Sequence, residues 1–362
     1  VDFNELLRFA AANNASDVHI QSAVIPMLRI AGQMRPTTAA AVSAAEVREF
    51  IRGIAPEDAR ERLDAAIVEG LDFSHAVPGL VRFRCSAYSH LGAPAITMRL
   101  IKAEIPTIEQ LNLPKVVHDI ALSRRGLILL TGTTGSGKST TLAAMIDLVN
   151  RTHATKVITI EDPIEYVHES KKALISQLEV GTDTPSFDRA LRGALRQDPD
   201  IVLVGELRDV ETLRMALRAA DTGHQVFSTV HSSNAPQTIE RIIAMFPPAE
   251  HKLLLAQLSS SLEAVISQRL LRTDDGGRRP AVEIMRGTAV TEKYILENRV
   301  EELEAYIRRN EAGMQTFDQH LLSMFNEGLI TGTEALRWAT TPESLAMAMR
   351  GISAEGAGGE HG

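Results

Sequence analysis

Apolar positions along this chain change period several times. Over residues 2–12 they recur at Phe3, Leu6, Leu7 and Ala10, one side of an amphipathic helix. Residues 18–20 and 26–30 are short runs of strand type, and Ala31-Gly32 reads as a tight turn. Residues 44–53 and 56–70 read as two helices, each ended near a glycine. From 80 to 88 the pattern alternates, with Val81, Phe83 and Cys85 on one face and Arg82, Arg84 and Ser86 on the other. Residues 95–101 alternate likewise and carry Arg99. The two stretches predict antiparallel strands with one arginine-rich face. A small α+β domain over residues 1–101 follows. Residues 102–113 hold two prolines and no period, and form the expected linker.

Beyond the linker, strand and helix patterns alternate. Residues 127–130 are an unbroken apolar run, the mark of a strand buried on both faces, and 157–160, 201–204 and 225–230 read as three more strands. Leu142, Met145, Ile146 and Val149 share a helical face. Residues 187–197, 210–221 and 249–271 read as helices, and 274–280 as a charged, glycine-rich turn. After 292 the pattern is helical at 292–310, 317–326, 333–339 and 342–350. Met215, Met324 and Met347 fall on helical faces as gap-fillers. The expectation is an α/β domain over 114–350 and a disordered tail over 351–362.

Composition narrows the function classes. At 362 residues the chain has room for two or three domains, and 44% apolar content is ordinary for globular proteins. The net charge of −8 argues against a nucleic-acid backbone as partner. A single cysteine, Cys85, excludes a disulfide framework or a cysteine zinc site. No apolar run approaches the ~20 residues of a membrane span. No charged-then-apolar leader opens the sequence, so the cytoplasm is the expected compartment.

The chemistry follows the first buried run. Gly132, Thr133, Thr134, Gly135, Ser136, Gly137, Lys138 and Ser139 fit G-x-x-x-x-G-K-[ST] between a strand and a helix, and Thr140 continues into the helix. Average composition would produce the pattern by accident in about one chain in a hundred of this length. Such a loop turns successive N–H groups toward phosphate oxygens, with the positive end of the helix behind them. Lys138 would reach the β- and γ-phosphates of ATP and the Ser139 hydroxyl would ligate Mg²⁺. Three further strands end in Glu161-Asp162-Pro163, Gly205-Glu206 and His231. A lone glutamate at a strand end is usually a solvated turn residue. In an open parallel sheet, however, ligands sit at the carboxyl ends of the strands, so all three ends are expected to meet the loop.

These residues carry a resemblance. FNELLRFAAANNASDVHI, PMLRIAGQMRP, TGTTGSGKSTTLAAMID, ITIEDPIEYVH, ALRQDPDIVLVGELRD and TGHQVFSTVHS together resemble the secretion ATPase superfamily, and within it the PilT-type motors of type IV pili. The likeness spans nearly all of residues 2–350. It implies a PAS-like first domain, a RecA-like P-loop NTPase second domain and a homo-hexamer. It implies Glu206 as the catalytic glutamate, with Gly205 where most such enzymes have a metal-binding Asp. Glu161 and Asp162 would then share the Mg²⁺ water shell, with Asp162 toward the metal. His231 matches a histidine that senses the γ-phosphate, and His224 a second histidine of the same motif. For either, the plainer reading is a neutral histidine hydrogen-bonded in the core. Arg84 and Arg99 match arginines that reach a neighbour's nucleotide; otherwise they are a solvated strand face. The implied partners are an inner-membrane pilus platform protein and a paralogous retraction ATPase, with peripheral attachment to the inner membrane. One stretch departs from retraction motors: RGTAVTEKYILEN, residues 286–298, lacks their Arg-Asn pair, while GMQTFDQ, residues 313–319, looks like retraction-type and PilU-like proteins. A retraction ATPase is the expectation. An assembly or secretion ATPase, a weakly hydrolysing accessory subunit and a RecA-like nucleic-acid motor are the alternatives.

Overall fold

The computed structural model describes residues 1–77, 81–101 and 104–352; most of the expected tail lies outside them. The chain divides into two compact units. One is residues 1–104 with 162–167 and 178–185; the other is 105–161, 168–177 and 186 onward.

In the first unit α1 (Phe3–Ala12) starts at Asp2, whose side chain accepts the Glu5 N–H. The strands β1 (Asp17–Gln21), β2 (Met27–Ile30) and β3 (Gln33–Pro36) follow, then α2 (Ala44–Ile54), α3 (Glu57–Arg60) and α4 (Leu63–Glu69). Ser43 and Glu46 close a reciprocal cap on α2. β4 (Leu71–Val77), β5 (Val81–His90) and β6 (Ala93–Ile101) complete an antiparallel sheet in the order β3-β2-β1-β6-β5-β4. Phe83, Cys85 and Ala87 point inward, as their alternation predicts, and pack with Leu7, Val47 and Ile51 of the helices. Burial pushes the Cys85 thiol pKa well up, so it is an inert core residue. Two strands escape the sequence reading. β3 is exposed along its whole length, so it shows no alternation, and β4 follows directly on a helix. The single helix expected over 56–70 is two, broken at Glu61-Arg62.

The second unit opens with α5 (Lys115–Ala121), β7 (Gly126–Thr131), α6 (Lys138–Thr152), β8 (Lys156–Glu161) and β9 (Leu174–Glu179). It continues with α7 (Phe187–Ala194), β10 (Ile201–Val204), α8 (Val210–Asp221), β11 (Gln225–Val230), α9 (Ala235–Met245) and α10 (His251–Ser261). Then come β12 (Leu262–Arg272), β13 (Arg278–Arg286), α11 (Ala289–Leu296), α12 (Leu303–Ile307), α13 (Phe317–Asn326), α14 (Gly332–Trp338) and α15 (Pro342–Met349). The sheet order is β13-β12-β7-β11-β10-β8-β9. β8, β10, β11, β7 and β12 run parallel, and β13 is antiparallel to β12. Every residue of β7, β10 and β11 is buried, which explains the apolar runs of β7 and β10; β11 also buries Gln225, Ser228 and Thr229.

The long helix expected over 249–271 is instead α10 followed by β12. Its apolar residues cannot distinguish a helix from a strand buried on both faces. The break comes at Ser259-Ser260-Ser261, where the Ser259 and Ser260 hydroxyls bond back to carbonyls of the preceding turn. The turn at 274–280 leads into β13, and the helix expected over 292–310 is broken at Asn298, which sits at φ 55°.

One packed core joins Ile128 and Leu130 of β7, Leu142, Met145 and Ile146 of α6, Phe227 of β11, and Ile266 of β12. Ile128→Ala would delete a side chain with no solvent exposure from the middle of the sheet. It should cost about 2–5 kcal/mol of unfolding free energy. Urea denaturation of the two proteins side by side checks this, and a loss below about 1 kcal/mol would contradict the packing described.

Candidate active site

The phosphate loop is the turn between β7 and α6. Gly132 takes φ 144°, and a Cβ there would lie 2.5 Å from the Gln268 carbonyl oxygen and 2.6 Å from Ser136 Oγ. Gly137 takes φ 93°, and a Cβ there would come within 2.8 Å of Gln268 Nε2. Both positions therefore need glycine for backbone angle and for space. Lys138 Nζ curls back over the loop and donates to the carbonyls of Gly132 (2.8 Å) and Thr133 (3.0 Å). Thr131 Oγ1 and Ser136 Oγ are buried with no hydrogen-bond partner among the described residues. Thr133, Thr134 and Gly135 are exposed at the tip, while Ser139 and Thr140 are half-buried in the first turn of α6. That helix runs for 15 residues with no acidic side chain in its first turn, so its N-terminal field is not offset.

Gln268 of β12 holds this loop, and sequence reasoning missed it. Its Nε2 donates to the Ser136 carbonyl at 2.7 Å, and its Oε1 accepts from Thr141 Oγ1 at 3.0 Å. The side chain is buried, so one amide ties the loop to the helix that follows. Nothing in a single glutamine signals such a role, and the stretch containing it reads as helix.

Strand register brings the other groups to the same edge. Val230 of β11 pairs with Thr131, and Val204 of β10 pairs with both Ser228 and Ile160. His231 and Glu206, just past β11 and β10, and Glu161, the last residue of β8, therefore stand at the carboxyl edge of the sheet beside the loop. His231 Nε2 lies 3.3 Å from Glu206 Oε1, and Arg208 Nε donates to Glu206 Oε2 at 2.7 Å. Gly205 has its N–H bonded to the Ile160 carbonyl and its own carbonyl bonded by Thr229 Oγ1. A Cβ at Gly205 would meet Ile160 O at 3.2 Å and Glu161 Cα at 3.5 Å, so an aspartate there would crowd β8. Glu161 Oε1 accepts from Thr159 Oγ1 (2.7 Å) and Gln177 Nε2 (3.2 Å).

His224 stands apart from these groups. It precedes β11, and its carbonyl accepts the Gly126 N–H at the start of β7. It thus stands at the amino edge of the sheet, a strand of about 20 Å from its own loop. Its Nδ1 lies 3.0 Å from the Ala219 carbonyl and 3.2 Å from Thr222 Oγ1. The ring is half-buried, so it is not a core histidine either.

The arginine face belongs to the first unit. Arg84 and Arg99 are direct cross-strand neighbours on β5 and β6. Arg99 Nε donates to Asp17 Oδ1 at 2.9 Å, and Arg82 Nη2 to Glu179 Oε2 at 2.8 Å. Glu179 is buried and also accepts from Ser74 Oγ and the Ile164 N–H. Two of the three arginines are therefore neutralised by carboxylates, contrary to an unrelieved cationic stripe. Arg84 is exposed and has no ion-pair partner among the described residues. It lines a cleft of about 70 Å³ in this unit with Asp72, Asp162 and Thr182. Asp162 is grouped with this unit, and Glu161 with the other.

A glycine-walled phosphate loop, its lysine and a glutamate–histidine pair on one edge of a parallel sheet define a P-loop ATPase. The chain belongs to the type II/IV secretion system protein family, whose model matches residues 2–293. It is 43% identical over 346 residues to the type IV pilus retraction ATPase PilT of Pseudomonas aeruginosa, covering 95% of this chain and 100% of that one. It is 38% identical over 352 residues to the type IV pilus ATPase PilU of the same organism, covering 97% and 92%. The crystal structure of the pilus retraction motor PilT with bound ADP superposes with a TM-score of 0.88, at 39% identity, covering 95% of this chain and 98% of that one.

Replacing Gln268 by Leu would leave the Ser136 carbonyl and the Thr141 hydroxyl buried without their partner. Each orphaned group costs about 1–3 kcal/mol. The expected result is ATP affinity weakened at least about tenfold, measured with a fluorescent ATP analogue. Unchanged affinity would mean that the loop keeps its shape unaided.

Proposed function

We propose that this ATPase is the motor of type IV pilus retraction, working as a ring of six against a platform protein of the inner membrane. The observation that carries the reading is the Glu206–His231 pair at the edge of the sheet that bears the phosphate loop, in a chain aligned from end to end with a retraction ATPase. Among the described residues no helix is long and apolar enough to cross a membrane, which suits a motor attached peripherally from the cytoplasm.

In this reading the loop N–H groups and the α6 N-terminus bind the phosphates of ATP. The Lys138 ammonium exchanges the Gly132 and Thr133 carbonyls for phosphate oxygens. The unpartnered Ser136 hydroxyl and the open loop tip fit such a ligand. Mg²⁺, when bound, offsets charge on the phosphate oxygens; Ser139 would hold it, with Asp162 toward its water shell. Glu206 orients the attacking water, with Arg208 Nε at 2.7 Å and His231 Nε2 at 3.3 Å from its two oxygens. His231, reading the γ-phosphate from the next strand end, reports its loss through the loop leading into α9. Glu161, already engaged by Thr159 and Gln177, is the weaker candidate for the water. Arg84 would serve a neighbouring subunit's phosphate, where a planar guanidinium suits phosphate oxygens. Arg99, paired with Asp17, would support it across the strand pair.

A second reading has one observation in its favour. The stretch over residues 286–298 lacks the Arg-Asn pair of retraction motors, and in the structure Arg286 is instead paired with Glu263 at 2.7 Å. A nucleotide-binding accessory subunit with slow turnover would tolerate this. Steady-state ATPase rates decide between the two. A strain lacking the protein should be hyperpiliated and unable to twitch; normal twitching would end the retraction reading.

Lys138→Ala should abolish turnover and weaken nucleotide binding, whereas Glu206→Gln should retain binding and lose turnover by about 10²-fold or more. Tight binding with unchanged turnover in Glu206→Gln would transfer the role to Glu161.

The trans role of Arg84 has its own assay. Arginines supplied in trans are worth about 10³–10⁵ in rate in other phosphoryl-transfer enzymes. Lys138→Ala and Arg84→Ala proteins, each inactive alone, should regain part of the activity when mixed. Mixed rings confirmed by mass without recovery would assign Arg84 to its own subunit.

A further inference from the structure

Glu283 lies on β13, in the middle of the edge hairpin of the large sheet, and takes no part in the site described above. Its carboxylate is 4% exposed. Oε1 accepts the Ala235 N–H at 2.7 Å and lies 3.4 Å from the Ser267 hydroxyl, which donates to it. Ala235 is the first residue of α9, and that N–H is one of those a helix start leaves unbonded. A buried carboxylate therefore anchors the beginning of α9.

What α9 holds is the loop that carries His231. Arg241 of α9 donates from Nη1 to the His231 carbonyl at 2.8 Å. Ser232 Oγ and Thr238 Oγ1 of α9 are 2.6 Å apart. The Asn234 side chain caps the same helix at the Gln237 N–H. His231 is thus suspended between the end of β11 and α9, and Glu283 fixes the end of α9 nearest to it. His231 in turn faces Glu206 at 3.3 Å.

We infer that Glu283 is a positioning residue for hydrolysis, holding His231 against Glu206 by anchoring the first turn of α9. The inference rests on the reading of His231 as a group that acts on turnover.

The anchor can titrate. Burial raises the Glu283 pKa to about 7, with the Ala235 N–H, Arg269 and Ser267 opposing that rise and Glu304 adding to it. Charged groups face it from each packed element: Arg269 on β12, Glu304 on α12 with Arg308 just beyond it, and Asp318 on α13. α9 itself presents its positive N-terminal end. The ionised carboxylate is the stronger acceptor for that N–H, so the anchor tightens as pH rises through about 7.

The experiment uses the intact chain and measures kcat, KM for ATP and binding of a fluorescent ATP analogue. Glu283→Ala should lower kcat about 10- to 100-fold with analogue affinity within about threefold, and Glu283→Gln, which keeps an acceptor oxygen, should return kcat to within about threefold. Adding Glu283→Ala to His231→Ala should slow the enzyme no further than His231→Ala alone. An additive loss in the double variant, or wild-type kcat in Glu283→Ala, overturns the inference. If His231→Ala itself turns over normally, the reading of His231 has failed instead, and the inference falls with it. Should Glu283→Ala not fold, Glu283→Gln still decides. Wild-type kcat should rise with pH through about 7 by a step that the Gln variant lacks, and the difference between the profiles excludes every other titrating group. A step of the same size and position in both overturns the inference.

Discussion

The hydrogen-bond ladder through β7, β11, β10 and β8 pairs Thr131 with Val230, and Val204 with Ser228 and Ile160. Because every residue of β7, β10 and β11 is buried, a slip of one position would set each side chain against packing shaped for a different one. The ladder therefore cannot drift, and the residues following each strand inherit its precision. Glu206 and His231 sit on short loops, yet they are held as if on rigid elements. The loop between β7 and α6 is fixed in the same way from its other flank, where β12 supplies Gln268. The meeting of these groups is a consequence of strand register more than of any single contact.

The features readable in the sequence are those with a short-range signature. The phosphate loop, its flanking strand and helix, and the acidic and histidine strand ends are each continuous in the chain. The alternation through Phe83 and Cys85 likewise placed an inward face correctly. What escaped depends on contacts between distant residues. Gln268 acquires its role from a carbonyl more than a hundred positions away, and it lay in a stretch whose apolar run hid a strand behind a helix. His224 and His231 occur in one motif, but a strand has two ends, and they stand at opposite ones. Arg82, Arg84 and Arg99 read as one charged face, whereas Glu179 and Asp17 come from elsewhere to pair two of them.

Charge is handled differently in the two units. Around the phosphate loop, the buried Lys138 ammonium is parked on carbonyl oxygens, with no carboxylate in the first turn of α6. On the β5–β6 face, carboxylates neutralise arginines until only Arg84 lacks an ion-pair partner among the described residues. Arg84 is thus the exposed member of the set, flanked by two neighbours paired with carboxylates.

The grouping of 162–167 and 178–185 with the first 104 residues means the chain passes between its units at 104/105, 161/162, 167/168, 177/178 and 185/186. The N-terminal unit is therefore not a cassette that a single cut could release. A fragment stopping at Glu104 would keep Arg82 and Ser74 but lose Glu179, the buried carboxylate both of them bond. A swap of residues 1–104 alone would leave Arg82 and Ser74 to find their carboxylate in a chain they did not come with.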